Sequence, residues 1–212
     1  MASNTIKKLQ WRYATKRFDA TKKLSEGKLD ILKQTFNLTA TSFGLQPLKM
    51  VVVSNPSIKE KLMSFTFNQP QVRDASHVLV LCIEKEIDAN FIVDHFKRVE
   101  DTRNTSREIL EPYEKDLVSS FSEKHALEIR QWMVNQLYLT LGALLTVCAI
   151  ENIDSCPMEG FEPENYDKLL GLAEKGLKSV IVLPVGYRDE TDFFSNLKKV
   201  RRGVEELVIK FD

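Results

Sequence analysis

Two short basic clusters lie near opposite ends of the chain, Trp11-Arg12-Tyr13-Ala14-Thr15-Lys16-Arg17 and Lys198-Lys199-Val200-Arg201-Arg202. Arginine makes paired hydrogen bonds to phosphate and lysine supplies a mobile point charge, so these clusters offer anion binding. The chain as a whole is neutral, with 30 Lys plus Arg against 30 Asp plus Glu. A nucleic-acid binder would carry a basic excess, so one small anion is expected and nucleic acid is not. Arg12 and Lys16 stand one helical turn apart and converge if a helix from Ile6 runs through both. Taken alone, the first cluster reads as a solvated basic helix end, favoured there by the helix dipole. No glycine-rich loop is present to hold a phosphate with backbone amides, so side-chain cations would have to do so.

Other candidate chemistry is sparse. His77 opens an apolar strand-like run and reads as a structural histidine, while His95 and His125 fall on polar helical patterns. No His, Cys or carboxylate group has metal-ligand spacing, and no metal is expected. Cys82, Cys148 and Cys156 have neither disulfide-framework nor zinc-finger spacing, which fits a reducing, cytoplasmic setting. Cys156 reads as a small packing residue before Pro157. The start lacks the apolar stretch of a secretory signal. The longest nearly apolar run, Thr140 to Ile150, falls short of the roughly 20 residues that cross a bilayer, so no membrane association is expected.

The elements that must position these residues are read from periodicity. Strands are expected at Lys49 to Ser54, His77 to Ile83 and Ser179 to Val185, rich in Val, Ile and Leu. The second and third are apolar almost throughout, as strands buried on both faces are. Helical patterns cover Ser25 to Phe36 with Ser25 as N-cap, Ser57 to Phe65, a charged stretch from Asp88 to about Glu123, and Lys124 to Ile153. In the last, Leu127, Trp132, Val134, Leu137, Tyr138, Leu141, Leu144, Leu145 and Cys148 spread round more than one face. A small domain seldom surrounds such a helix, so a homodimer is expected, with Val204 to Phe211 as a terminal strand or extended arm that pairs across it. No repeat or linker divides the chain, which reads as one α+β domain over residues 1–212.

Trp11-Arg12-Tyr13-Ala14-Thr15-Lys16-Arg17-Phe18-Asp19 resembles the N-terminal signature of the FMN-dependent nitroreductase family, in its oxygen-insensitive NAD(P)H nitroreductase branch. Further matches follow in the family's order: Gln46-Pro47, Asp74-Ala75-Ser76-His77-Val78, Pro157-Met158-Glu159-Gly160-Phe161, Leu183-Pro184-Val185-Gly186-Tyr187-Arg188 and the C-terminal basic cluster. Each motif is weak alone; the ordered set spans nearly the whole chain.

The resemblance implies a nitroreductase-like fold, with a mixed, mostly antiparallel sheet flanked by helices, in an intertwined homodimer. It implies FMN sites built from both chains, with NADH or NADPH as reductant and a nitroaromatic or quinone as small-molecule acceptor in a ping-pong exchange. By residue-to-residue carry-over, Arg12, Lys199 and Arg201 would hold the FMN phosphate. Tyr13 and Ala14 would line the site, and Lys16 would stand beside the edge where negative charge collects on reduction. Pro157, Met158, Glu159 and Gly160 form the turn whose backbone amides approach the flavin, with Glu159 acting through its backbone and no side chain assigned as catalytic. Thr41, Ser42 and Gly44 would reach the partner's flavin, with Asn68 and Gln71 at the flavin edge and Phe43 and Phe121 in the substrate pocket. Departures from the family pattern are Phe43, Gly44 and Leu45 for hydroxyl and amide residues, Gln71 for a frequent Lys, and Gly203 for a frequent Pro. A specialised reductase of the same fold (dihydropteridine reductase, dehalogenase or flavin-fragmenting enzyme) or a non-catalytic FMN-binding protein is the alternative.

Overall fold

A computed structural model describes residues 3–211. The framework is a four-stranded sheet in the order β1-β2-β4-β3, formed by Leu48–Val53, His77–Glu84, Leu177–Gly186 and Asp154–Ser155. These ladders are antiparallel: Val51 faces Val80 and Leu79 faces Leu183, with a register shift between Leu81 and Cys82. Among the described residues the parallel component is a single bridge between Ala14 and Ser155, outside the named strands.

Strand alternation divides the core in two. Leu79, Leu81, Ile83, Ile181, Leu183 and Val185 join one buried cluster with α2 (Glu26–Leu38) and α7 (Ala126–Ile150). Val78, Val80, Cys82 and Val182 join the other with Leu62 of α3 (Pro56–Ser64), Val72 of α4 (Pro70–Asp74) and Tyr166 of α8 (Pro163–Leu170). β2 is therefore covered on both faces, as its unbroken apolar run requires. Gly186 ends β4 where a Cβ would stand 2.9 Å from the Ser76 backbone nitrogen, so only glycine fits this close approach.

Capping residues set several helix starts. Ser25 accepts from the Lys28 amide and Asn55 from the Ile58 amide, while Pro56 opens α3. The charged stretch after β2 is two helices, α5 (Ala89–Arg103) and α6 (Arg107–Ser122), broken at Asn104 in the left-handed conformation. α7 is long and apolar enough to span a bilayer by length and composition alone. Here Met133, Leu137, Leu144 and Cys148 bury it in the core, so it serves as the domain's central helix.

One expectation is corrected. α1 (Asn4–Trp11) stops before Arg12, whose backbone is extended, so Arg12 and Lys16 do not meet across a helical turn. Leu127 and Tyr138 of α7 are exposed in the single chain, at 78% and 41%, so the domain alone covers only part of that helix. At the C-terminus α9 (Val204–Leu207) is one helical turn, with Glu206 accepting from the Gly203 amide, and of the expected strand or extended arm it is the arm that follows.

Candidate functional site

The two basic clusters meet in one cavity of about 440 Å³. Trp11, Arg12, Tyr13, Ala14 and Lys16 form one wall; Phe194, Lys198, Lys199 and Arg201 form the other. Beyond Trp11, the last residue of α1, the first wall leaves the helix with extended backbone at Arg12. It is pinned to the sheet by the Ala14–Ser155 bridge and by the Thr15 amide, which donates to the Ser155 carbonyl at 3.2 Å.

The second wall follows a turn at Phe193–Asn196. Asp192, only 1% exposed, caps that turn, its Oδ1 accepting from the Phe194 amide at 3.1 Å. Its Oδ2 accepts from the Tyr13 hydroxyl at 2.8 Å, the Lys16 amide at 2.8 Å and the Arg17 amide at 3.0 Å. Burial alone would raise the Asp192 pKa; these hydrogen bonds outweigh it and hold the pKa below its ordinary value. Behind the same wall, Arg188 donates to Asp154 from Nε at 2.7 Å and from its backbone at 2.9 Å, and stacks over the Trp11 and Tyr13 rings. Neither carboxylate is a member of a recognisable sequence cluster. Asp192 carried one local signal, its N-cap position before Phe193-Phe194.

The cavity has the properties of an anion site. Arg12 Nε is buried without a hydrogen-bond partner. Burial lowers the Arg12 pKa, and Arg201 lowers it further; burial also lowers the Lys199 pKa, followed by Arg12 and Arg201. Lys199 nonetheless donates to the Arg12 carbonyl, which keeps the like charges together. Three mutually repelling cations with an orphaned donor are relieved by a phosphate-sized dianion, so an organic phosphate cofactor fits these residues.

The turn at Pro157–Gly160 lies on β4. Met158 exchanges backbone hydrogen bonds with Val182, and its side chain is buried, so it anchors the turn and presents no side chain to a ligand. The Glu159 carboxylate accepts from the Tyr138 hydroxyl at 2.5 Å, and the Glu159 and Gly160 N–H groups make no hydrogen bond among the described residues. Gly160 packs beside the rings and amides of Phe67 and Gln69, whose side chain donates to its carbonyl. Phe67 and Asn68 are exposed with positive φ, 53° and 56°, and Phe67 was not among the sequence candidates. For a bulky side chain this conformation is sparsely populated. Gln71 is different: it is buried on α4 with Oε1 unpartnered and does not line the cation cavity.

The segment at 41–44 stands elsewhere. Thr41 lines a separate cavity of about 410 Å³ with His95, and its hydroxyl accepts from the Gln46 amide. The Ser42 amide donates to Gln136 of α7 at 2.8 Å, and Gly44 has φ +70° against the His95 ring. Phe43, at φ 59°, is 47% exposed and packs on Phe121 and Trp132, each with ring centroids 6.0 Å away. Phe121 is buried at 5% and supports Phe43 from beneath instead of forming an open wall. His77 is buried beside Ser76, Cys82, Cys148 and Cys156 are free and buried, and no metal-binding group occurs among the described residues.

Comparison with known proteins bears on this arrangement. The profile of the nitroreductase family matches residues 9–187. An oxygen-insensitive NAD(P)H nitroreductase of Salmonella typhimurium is 32% identical over 206 residues, covering 92% of this chain and 93% of its own. The major NAD(P)H-flavin oxidoreductase of Aliivibrio fischeri is 29% identical over 220 residues, covering 98% and 99%. A chain from Exiguobacterium sibiricum solved in complex with FMN superposes with a TM-score of 0.83 at 18% identity, covering 100% and 99%, and so shares the fold.

Proposed function

Since the chain belongs to the nitroreductase family, we propose that it is an FMN-dependent NAD(P)H oxidoreductase acting on nitroaromatics and quinones. The observation that carries the cofactor assignment is the meeting of Arg12, whose buried Nε has no hydrogen-bond partner, with Lys199 and Arg201 around one cavity. When bound, FMN supplies the chemistry, taking a hydride from NADH or NADPH and passing reducing equivalents to the acceptor in a ping-pong exchange.

The chain's own residues bind and orient. Arg12, Lys199 and Arg201 hold the phosphate; Tyr13, Ala14 and Lys16 line the adjoining wall, where the Lys16 ammonium offsets negative charge gained on reduction. The free N–H groups of Glu159 and Gly160 are donors for the ring system, beside Asn68 and the exposed Phe67 ring. No side chain is assigned a proton-transfer role.

Within one protomer the 41–44 turn and the cation cavity are lined by different residues, which accords with a site completed by the partner in a homodimer. The exposed apolar residues of α7, Leu139 at 54% and Ile150 at 43%, together with Val208, Ile209 and Phe211 of the arm, supply the surface for that association. Three free buried thiols accord with a cytoplasmic setting. The test is an absorbance spectrum of the purified protein followed by anaerobic NADH and NADPH titration and steady-state kinetics with a nitroaromatic and a quinone. Flavin bleaching by the nicotinamide and parallel double-reciprocal lines are expected. Bound FMN that neither nicotinamide reduces would overturn the enzymatic reading.

A further inference from the structure

We propose that Asp192 is a positioning residue that joins the two basic clusters into one phosphate cage and so sets the preference for FMN over unphosphorylated riboflavin. The inference rests on the FMN reading above. Two chain segments separated by about 180 positions have to be held in register for Arg12 to face Lys199 and Arg201, and one carboxylate bonds to both. Its Oδ2 takes the Tyr13 hydroxyl and the Lys16 and Arg17 amides, while Oδ1 takes the Phe194 amide in the turn that leads into the C-terminal cluster. Three of these donors are backbone, so the carboxylate fixes main chain and not merely side-chain rotamers.

Asp192 is 1% exposed and does not line the cavity, so it touches no ligand and acts through the segments it ties. Its location also separates two physical roles by sign. If its effect were mainly electrostatic, removing a negative charge beneath a cation cage would tighten binding of a phosphate dianion. If it positions the cage, removal loosens that binding. Asparagine has nearly the same shape but only one acceptor oxygen, so it can serve the 13–17 segment or the 193–196 turn, not both.

The experiment is a titration of the flavin-stripped full-length chain with FMN and with riboflavin, followed by fluorescence quenching, for wild type, Asp192→Asn, Tyr13→Phe and Arg12→Ala. Asp192→Asn is expected to weaken FMN by roughly tenfold or more and riboflavin by less than about threefold, collapsing the preference between them. Tyr13→Phe removes one of the four donors and should lower the FMN-to-riboflavin ratio by a smaller step while the fold is kept; an unmoved ratio in that variant counts against the proposal. Equal weakening of both flavins by Asp192→Asn assigns the residue to the fold alone and overturns the proposal. So does unchanged or tighter FMN binding while Arg12→Ala is impaired. Unchanged FMN affinity in Arg12→Ala overturns the phosphate-site reading itself, and the proposal falls with it.

Discussion

Arg12 and Lys59 are both cations drawn out of water, and the fold treats them in opposite ways. Lys59, on α3 and 2% exposed, donates from Nζ to the Ala75 carbonyl at 2.5 Å. Arg12 has a buried Nε with no partner, beside two more cations at a cavity. A buried donor left unmade costs free energy, as does gathering like charges. Lys59 thus meets a fixed acceptor of the fold, whereas the Arg12 arrangement is complete only with an anion from outside. Burial of a cation therefore identifies a binding site only when satisfaction is missing and a cavity is present.

The sharpest way to break this contrast is Arg12→Ala. Loss of one charged hydrogen-bonding group should weaken FMN by about 1.5–3 kcal/mol, while the flavin-free protein melts at the same temperature or higher because repulsion with Arg201 is relieved. Melting curves with and without FMN check both halves. A variant that loses apo stability and keeps its FMN affinity would place Arg12 in Lys59's category. The mirror experiment is Lys59→Ala, which orphans the Ala75 carbonyl and empties the space of a buried stem. It should cost about 1–3 kcal/mol in chemical denaturation and leave FMN affinity unchanged. A shift in FMN affinity there would connect Lys59 to the site and end the distinction.

The same contrast explains what could be read from sequence. β2 and β4 were legible because unbroken Val, Ile and Leu runs admit few alternatives once both faces are buried, and α2 was legible from Ser25. The basic clusters announced an anion, and the ordered motifs identified the family. The end of α1 was not legible: Trp11 to Arg17 contains no glycine or proline. What holds the segment extended is Ser155 and Asp192, contacts that lie roughly 140 and 180 positions away and leave no local trace. Gln71 is buried on the single turn of α4 with Oε1 unpartnered, and nothing in its neighbours in sequence announces that burial. The Val204 to Phe211 run reads as a terminal strand or an extended arm, and its helical turn at Val204–Leu207 has no apolar signature that would announce it.

The smallest expected effect is the dependence of stability on pH, and it bears on Lys59 alone among the two cations. Burial pulls the Lys59 pKa down from 10.5 to about 8, with Lys23 adding to the fall and Asp74 opposing it. Below about pH 8 the amine is charged in both the folded and unfolded chains, and the folded state carries the full cost of burying that charge. Between the folded value and the unfolded one the native amine loses its proton first, so the cost fades and stability rises with pH. From about pH 7 to pH 9 this amounts to about 1 kcal/mol as an order of magnitude. Lys59→Met removes the titrating group while keeping an apolar stem, so its denaturation midpoint should lack that rise when compared with wild type across the same range. An identical pH profile in the two proteins would mean that the amine is solvated in the native state, and that Lys59 and Arg12 do not differ in the way their geometry indicates.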